Sequence, residues 1–331
     1  MKFILKYFTI IGFVFLLSCE HKTQFDVDLS NIPQPNCSID RYEMVMFNLP
    51  PDSFIYFSKL YHNRFQVFLD GNMEDTLALL SVQSFFTDPY MKELYADVSI
   101  QFPNLKPVED QLSKSLQYFT YYFPNLPTPQ LFSYVSGLDF KYPVKFINGS
   151  LLLGLDMYLG AEYKAYKVSG FPIYRTRWSI PQTIVPDAMT ELATGLMEPL
   201  SSSANLLQQI IHSGKTRFFV KSMMPEIADT LLFKYTENQL DWIEANEAYV
   251  WGYIIENQLL YSTEKNMVRK FSQDGPFTDM FNKKSPPRLT EYIGYQIIKR
   301  YAVETNAPLH EILMEMDFQK ILKKSRYKPE L

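Results

Sequence analysis

Five acidic or sulfur-bearing positions in this 331-residue chain could do chemistry, and each has a local context that limits what it could be. Asp156 interrupts the apolar run "LLLGLDMYLG", where it could serve as a catalytic carboxylate, a metal ligand or a hydrogen-bonded corner of a scaffold. Asp187 and Glu191 in "IVPDAMTELATGL" stand four apart, a spacing that puts both on one face of a helix. Such a pair could do general acid–base work, or be two solvated acids near a positive helix N-terminus. Glu247 lies in the stripe Leu240, Ile243, Glu247, Val250 and Ile254, whose three-four spacing faces a core. A carboxylate placed there needs a hydrogen-bonding or cationic partner, or a raised pKa. It reads either as a site residue or as half of a structural ion pair with an arginine such as Arg177 or Arg288.

Other chemistry finds little support. The four histidines are His21, His62, His212 and His310, and no two have the H-x-x-x-H spacing of a zinc helix. There is no G-x-S-x-G elbow, no phosphate-binding G-x-x-x-x-G-K-[ST] loop and no cysteine with a credible histidine partner. We therefore expect no metal and no cofactor. The net charge is −4, and losing Lys2 and Lys6 with a signal peptide would make it two units more negative. With no arginine- or lysine-rich patch, nucleic acid is a poor partner.

The N-terminus addresses the chain to the envelope. "MKFILKYFTIIGFVFLLSC" has a basic start and an apolar region of roughly ten residues, too short for the about 20 needed to span a bilayer. Residues 1–18 read as a signal peptide. Leu16-Leu17-Ser18-Cys19 resembles a bacterial lipobox, which implies that Cys19 is the diacylated, membrane-anchoring mature N-terminus. That leaves Cys37 as the remaining thiol and allows no internal disulfide, so stability rests on the core. With 47% hydrophobic and 16% aromatic residues, the chain can build one. An early acidic cluster after the lipidated cysteine would resemble a surface-export tag of bacterial lipoproteins, and its weakness in "CEHKTQFDVD" implies a periplasm-facing protein.

The elements that must position these residues follow from periodicity. Residues 19–40 read as a polar, proline-interrupted tether, and "YEMVMFNLP" as a short extended segment. Helices are expected over 52–68 (capped by Asp52 or Ser53), 75–86, 90–101, 108–122, 180–198, 202–212, 215–224, 237–260, 286–304 and 308–322. Ser285-Pro286 supplies the cap and first position of the penultimate one. Between them, "QLFSYVSGLDF", "YPVKFING" and "SLLLGLDMYLG" predict a small antiparallel sheet with an Asn148-Gly149 hairpin. The fold class is α+β, predominantly helical, as one domain over 41–331.

Several ordered stretches together carry a family resemblance: "LGLDMYLGAEYKAY", "FPIYRTRWSIPQTIVPDAM", "WIEANEAYVWGYIIENQLLYST", "SPPRLTEYIGYQIIKRYA" and "ILKKSRYKPEL". The chain resembles the GldB family of gliding-motility lipoproteins of Bacteroidota. The resemblance implies a cell-envelope lipoprotein, linked to gliding and type IX protein secretion, with other envelope proteins of that machinery as partners. The order of parts is also distantly similar to zincin-type metalloproteases. On that mapping "TIVPDAMTELA" is the active helix and Glu247 falls on a ligand helix, giving a degenerate zincin-like arrangement, but the active helix has no histidine. Without imidazoles there is no such metal site. A non-catalytic binding or assembly component is then the first reading, and a hydrolase using carboxylates or gathered metal ligands the alternative. Asp156 becomes a strand-end residue tying a turn, with Gly154 and Gly160 allowing close backbone approach.

Overall fold

The segment Ser-Leu-Leu-Leu-Gly at Ser150–Gly154 is buried along its whole length, as a strand covered on both faces must be. In the computed structural model, which describes Phe25 and residues 27–330, this is β4, an interior strand of a four-stranded sheet ordered β1-β2-β4-β3. The others are β1 (Asp40–Arg41), β2 (Gln130–Tyr134) and β3 (Val144–Ile147). Leu151 and Leu153 point into the larger hydrophobic cluster, while Leu152 and Phe132 point into a smaller one with Tyr42, Phe65 and Phe86. That alternation is the two-residue period of a strand with a core on each side. Cys19 and the signal segment lie outside the described residues.

The sheet is mixed, which corrects the antiparallel expectation. Only β3 and β4 form an antiparallel pair, joined at Asn148 and Gly149 with φ of 49° and 74°, the left-handed pair such a turn requires. β2 runs parallel to both β1 and β4. A hairpin signal fixes only its own two strands; the β2–β4 register depends on how residues 135–143 cross from β2 to the far edge of the sheet.

Before β2 come α1 (Tyr42–Met46), α2 (Phe54–Tyr61), α3 (Thr76–Thr87), α4 (Pro89–Gln101) and α5 (Lys106–Tyr122). Asp75 and Asp88 cap α3 and α4, each accepting two backbone N–H bonds. "YEMVM" is helical rather than extended: Tyr42 and Met46, four apart, both enter the smaller cluster, while the buried Glu43 accepts from Arg41 Nε at 2.8 Å and from Ser133 of β2 at 2.9 Å. The helix expected over 52–68 breaks after Tyr61, and Ser53 makes no side-chain cap bond. The segment read as a tether is laid along α5 over residues 32–39. Gln117 donates to Ile32 O, Ser113 to Pro35 O, and Ile39 N to Glu109. Phe25 is buried, its ring 5.3 Å from Phe218.

After the sheet come α6 (Lys164–Val168), α7 (Ile173–Thr176), α8 (Ile184–Leu196), α9 (Leu206–Met223), α10 (Asp229–Phe233), α11 (Glu237–Glu256), α12 (Lys265–Ser272), α13 (Leu289–Thr305), α14 (Leu309–Met314) and α15 (Phe318–Ser325). Asn205 with Gln208 and Thr236 with Gln239 form capping boxes for α9 and α11. Three sequence expectations change. The helices expected over 202–212 and 215–224 are one helix, α9, that runs through Gly214. The helix expected over 308–322 is two, α14 and α15. Ser285 does not cap α13; its hydroxyl is bonded to Thr278 and Asn282, and the helix starts at Leu289 behind a left-handed Arg288.

Gly214 is where α9 meets α13. A Cβ on Gly214 would lie 2.1 Å from the Gly294 carbonyl carbon, and one on Gly294 would lie 1.9 Å from Ile210 O. The two backbones touch, so a single methyl must force whole helices apart. Gly294→Ala should therefore cost roughly 3 kcal/mol or more, the upper end for overpacking, read as a lowered denaturation midpoint. A midpoint within about 0.5 kcal/mol of the parent would show that the helices are free to separate.

Candidate functional site

Asp187 stands in the first turn of α8, at the wall of a cleft of about 210 Å3. Lys234 meets it at 2.6 Å, and the Tyr158 hydroxyl donates to it at 2.9 Å. Tyr158 comes from just beyond β4, Lys234 from the end of α10. On the opposite side Asp274 bridges two arginines: Arg175 Nε at 2.5 Å and Arg288 Nη1. Arg288 also reaches Glu291 at 3.3 Å and donates to Phe233 O at 2.7 Å. Burial works against its charge, but Glu291 and Asp274 outweigh that and hold its pKa above the ordinary range. Glu291 is shared with Arg217 at 3.1 Å. Phe140, Trp178 and Lys141 also line the cleft.

Two cations of the cleft sit on left-handed backbone, Lys234 with φ of 52° and Arg288 with φ of 50°. Side chains with a Cβ visit this region at a cost, and such residues gather at functional sites. Each is held by its neighbours: Arg288 O accepts from the buried Tyr235 hydroxyl at 3.1 Å, and Lys234 by its bond to Asp187.

The chain matches the family model described as gliding motility protein GldB over residues 22–329. It belongs to the GldB family. No curated protein and no solved structure matches it. Among the described residues no helix is long and apolar enough to cross a membrane, and no group of three or more His, Cys, Asp or Glu side chains is gathered as a metal would need.

Within this GldB-family fold the four carboxylates singled out from sequence fall in different places. Asp156 is fully buried behind the cleft. Its two oxygens accept from Ser136 N at 2.8 Å, Ser136 Oγ at 2.9 Å and Leu138 N at 2.7 Å. It thus catches the crossing loop at Leu138, a buried residue forced to φ of 62°. Burial pushes its carboxyl upward and the three donors oppose that. Gly154 is where backbone approaches closely, its Cβ position 2.9 Å from Pro143 O; Gly160 instead provides φ of 106° in open space.

Asp187 and Glu191 do share a face of α8. Glu191 is half-buried, and burial together with the nearby Asp187 charge pushes it up to about 7. Glu247 is elsewhere. It opens on a separate cleft with Gln296, Lys299 and Arg300, and accepts from the Tyr327 hydroxyl at 2.7 Å. Its partner is that tyrosine from the chain's end, not Arg177 or Arg288. Burial raises its pKa, against hydrogen bonds from Tyr327 and Tyr292. Arg175, Lys234 and Asp274 were missed. The stretches "YRTRWS" and "SPPR" hold Arg175, Trp178 and Arg288, but nothing in their spacing says that they meet.

Two outcomes separate scaffold from chemistry. Asp156→Ala and Asp156→Asn should both destabilise the fold by roughly 2–5 kcal/mol, because alanine orphans two buried N–H groups and asparagine turns an amide donor toward one of them. A near-parental chemical denaturation midpoint in either variant would remove Asp156 from the scaffold. For Glu191 the sign follows from a raised acid. The fold favours its protonated form, so that contribution is complete below about 4.5 and is lost as pH climbs through about 7. Glu191→Gln should thus match the parent in thermal melts near pH 4.5 and exceed it by a few °C at pH 8. An equal difference at both pH values would mean the carboxyl is already ionised at the lower one.

Proposed function

We propose that this GldB-family chain is a lipid-anchored component of the cell envelope that supports gliding motility, type IX secretion or both as a binding and assembly part rather than a catalyst. The observation that carries this reading is how the carboxylates are used. Asp187 is neutralised by Lys234 and hydrogen-bonded by Tyr158, and Asp156 is filled by three donors. A general base or nucleophile has to be free to take a proton or attack; these two are structural members of their surroundings. The cleft is then a rigid, charged socket of degenerate protease-like design, facing the periplasm.

Anchoring supports the same reading. With Phe25 docked on α9, six Cα-to-Cα steps lead back to Cys19, which at about 3.5 Å each span at most roughly 20 Å. Such a leash keeps the domain beside the membrane, within reach of membrane-bound machinery, and two acyl chains at Cys19 make the attachment stable.

In a gliding host of this family, Cys19→Ala should leave the chain soluble or as uncleaved precursor, end palmitate incorporation and reduce colony spreading. Glu191→Gln, at a carboxyl on the same helix that does not line the cleft, should spread like the parent. Loss of spreading in that variant, with folding and membrane attachment intact, would mean that this carboxyl does chemistry and would overturn the non-catalytic reading.

A further inference from the structure

The cleft that holds Asp187 carries more positive than negative side chains. Lys141, Arg175, Lys234 and Arg288 line it, against Asp187 and Asp274. Lys234 is taken by Asp187, and Asp274 is shared by both arginines. That leaves Lys141, which is exposed, and the outer part of Arg175 without an opposing carboxylate in the cleft.

Arg175 is held ready. Its Nε is bound by Asp274, its guanidinium carbon lies 4.6 Å from the centroid of Phe140, and Phe140 stacks on Phe171 at 4.2 Å. Its two terminal nitrogens have no hydrogen-bond partner among the described residues, and the side chain is 36% exposed. A guanidinium fixed from behind by a carboxylate and beneath by a ring keeps a two-pronged donor edge, the geometry that suits a planar or tetrahedral oxyanion. The opening is small, about 210 Å3, and its walls include Trp178 and Tyr158. Left-handed backbone at Lys234 and Arg288 shows that the fold tolerates strain to set cations here.

We propose that this cleft binds an oxyanion, a carboxylate or phosphate group, on a ligand whose planar or apolar portion lies against Trp178. Arg175 takes the anion with its terminal nitrogens, Lys141 adds a screened charge at the mouth, and Lys234 and Arg288 supply the field from behind. The proposal rests on reading the cleft as a binding socket and names the chemistry that the socket selects. Its occupant is a charged end, not a chain that runs through.

The test uses the full lipidated chain purified in detergent, titrated at constant ionic strength with NaCl as the balancing salt. The probes are inorganic phosphate, N-acetylphenylalanine and N-acetylphenylalanine amide. Readouts are the thermal midpoint and tryptophan fluorescence, with Trp178→Phe assigning the fluorescence change. Phosphate, the free carboxylate or both should bind with a Kd of about 1 mM or tighter, while the amide should not. Phosphate alone points to phosphoryl ligands; the carboxylate alone points to peptide or acid ends. Arg175→Gln should weaken binding at least about ten-fold and Lys141→Gln a few-fold. Lys141 makes no ion pair among the described residues, so Lys141→Glu should fold as the parent and bind worse still, which keeps the test open if Arg175→Gln misfolds. Equal response to all three probes and to NaCl, or Lys141→Glu binding like the parent, would overturn the proposal. Oxyanion binding together with loss of spreading in Glu191→Gln would leave this site standing and overturn only the non-catalytic reading.

Discussion

The crossing of α9 and α13 at Gly214 and Gly294 is the constraint on which the rest of the structure depends. Helix axes normally stay 8–10 Å apart because side chains intervene; here neither helix has one at the contact, and backbone meets backbone. This closeness fixes the relative position of two elements far apart in sequence. Arg217 on α9 then reaches Glu291 on α13, and the same Arg217 holds Leu232 O at the end of α10. Lys234 and Arg288, which follow α10 and precede α13, are thereby brought to one cleft. A looser crossing would still bury the aliphatic residues. It would not keep Glu291 between Arg217 and Arg288.

A second pin works on the sheet. The chain leaves β2, passes over the end of β4 to the sheet edge and returns, so that β4 lies parallel to β2. A crossing loop must satisfy its own backbone groups, and Asp156 does this for Ser136 and Leu138. A buried carboxylate with donors but no cation is costly in itself. It persists because removing it would orphan backbone groups that nothing else reaches. Tyr166 extends the same corner, its hydroxyl donating to Asp156 O at 2.7 Å and accepting from Leu159 N at 3.1 Å. The corner in turn sets Tyr158, which touches Asp187.

How much of this was legible follows from which forces are local. The Asp75, Asp88 and Thr236 helix starts were near their observed places because the cap, the dipole and the apolar stripe all lie within one or two turns. The Asn148-Gly149 hairpin was legible for the same reason. The parallel pairings were not, since they depend on a loop path that Asp156 fixes from twenty residues away. The break expected between 212 and 215 is absent: glycine weakens an isolated helix, but contact with Gly294 gives Gly214 a place inside α9. Ser285 carried a cap's signature but is used by Thr278 and Asn282, and α13 opens instead at a left-handed arginine. Glu247 stood out as a carboxylate on an apolar stripe, but its partner, Tyr327, lies eighty residues further on. Of the cleft, Asp187 could be seen; that Lys141, Arg175 and Lys234 gather around it could not.

That character comes from how charge is distributed, not from how much there is. The chain as a whole is acidic, and its exposed ion pairs, such as Lys59–Glu74, Lys106–Asp110 and Lys114–Glu226, contribute little. In the cleft the pairs are shared: Asp274 serves two arginines, and Glu291 serves two more contacts from Arg217 and Arg288. Sharing leaves cations in excess while each arginine keeps a partner that orients it. A lone buried arginine would be too costly to desolvate, and a fully matched pair would present no field. One carboxylate between two guanidiniums lies between those limits. It gives a site that is stable when empty and still attractive to an anion, which is what a socket for a partner's charged group requires.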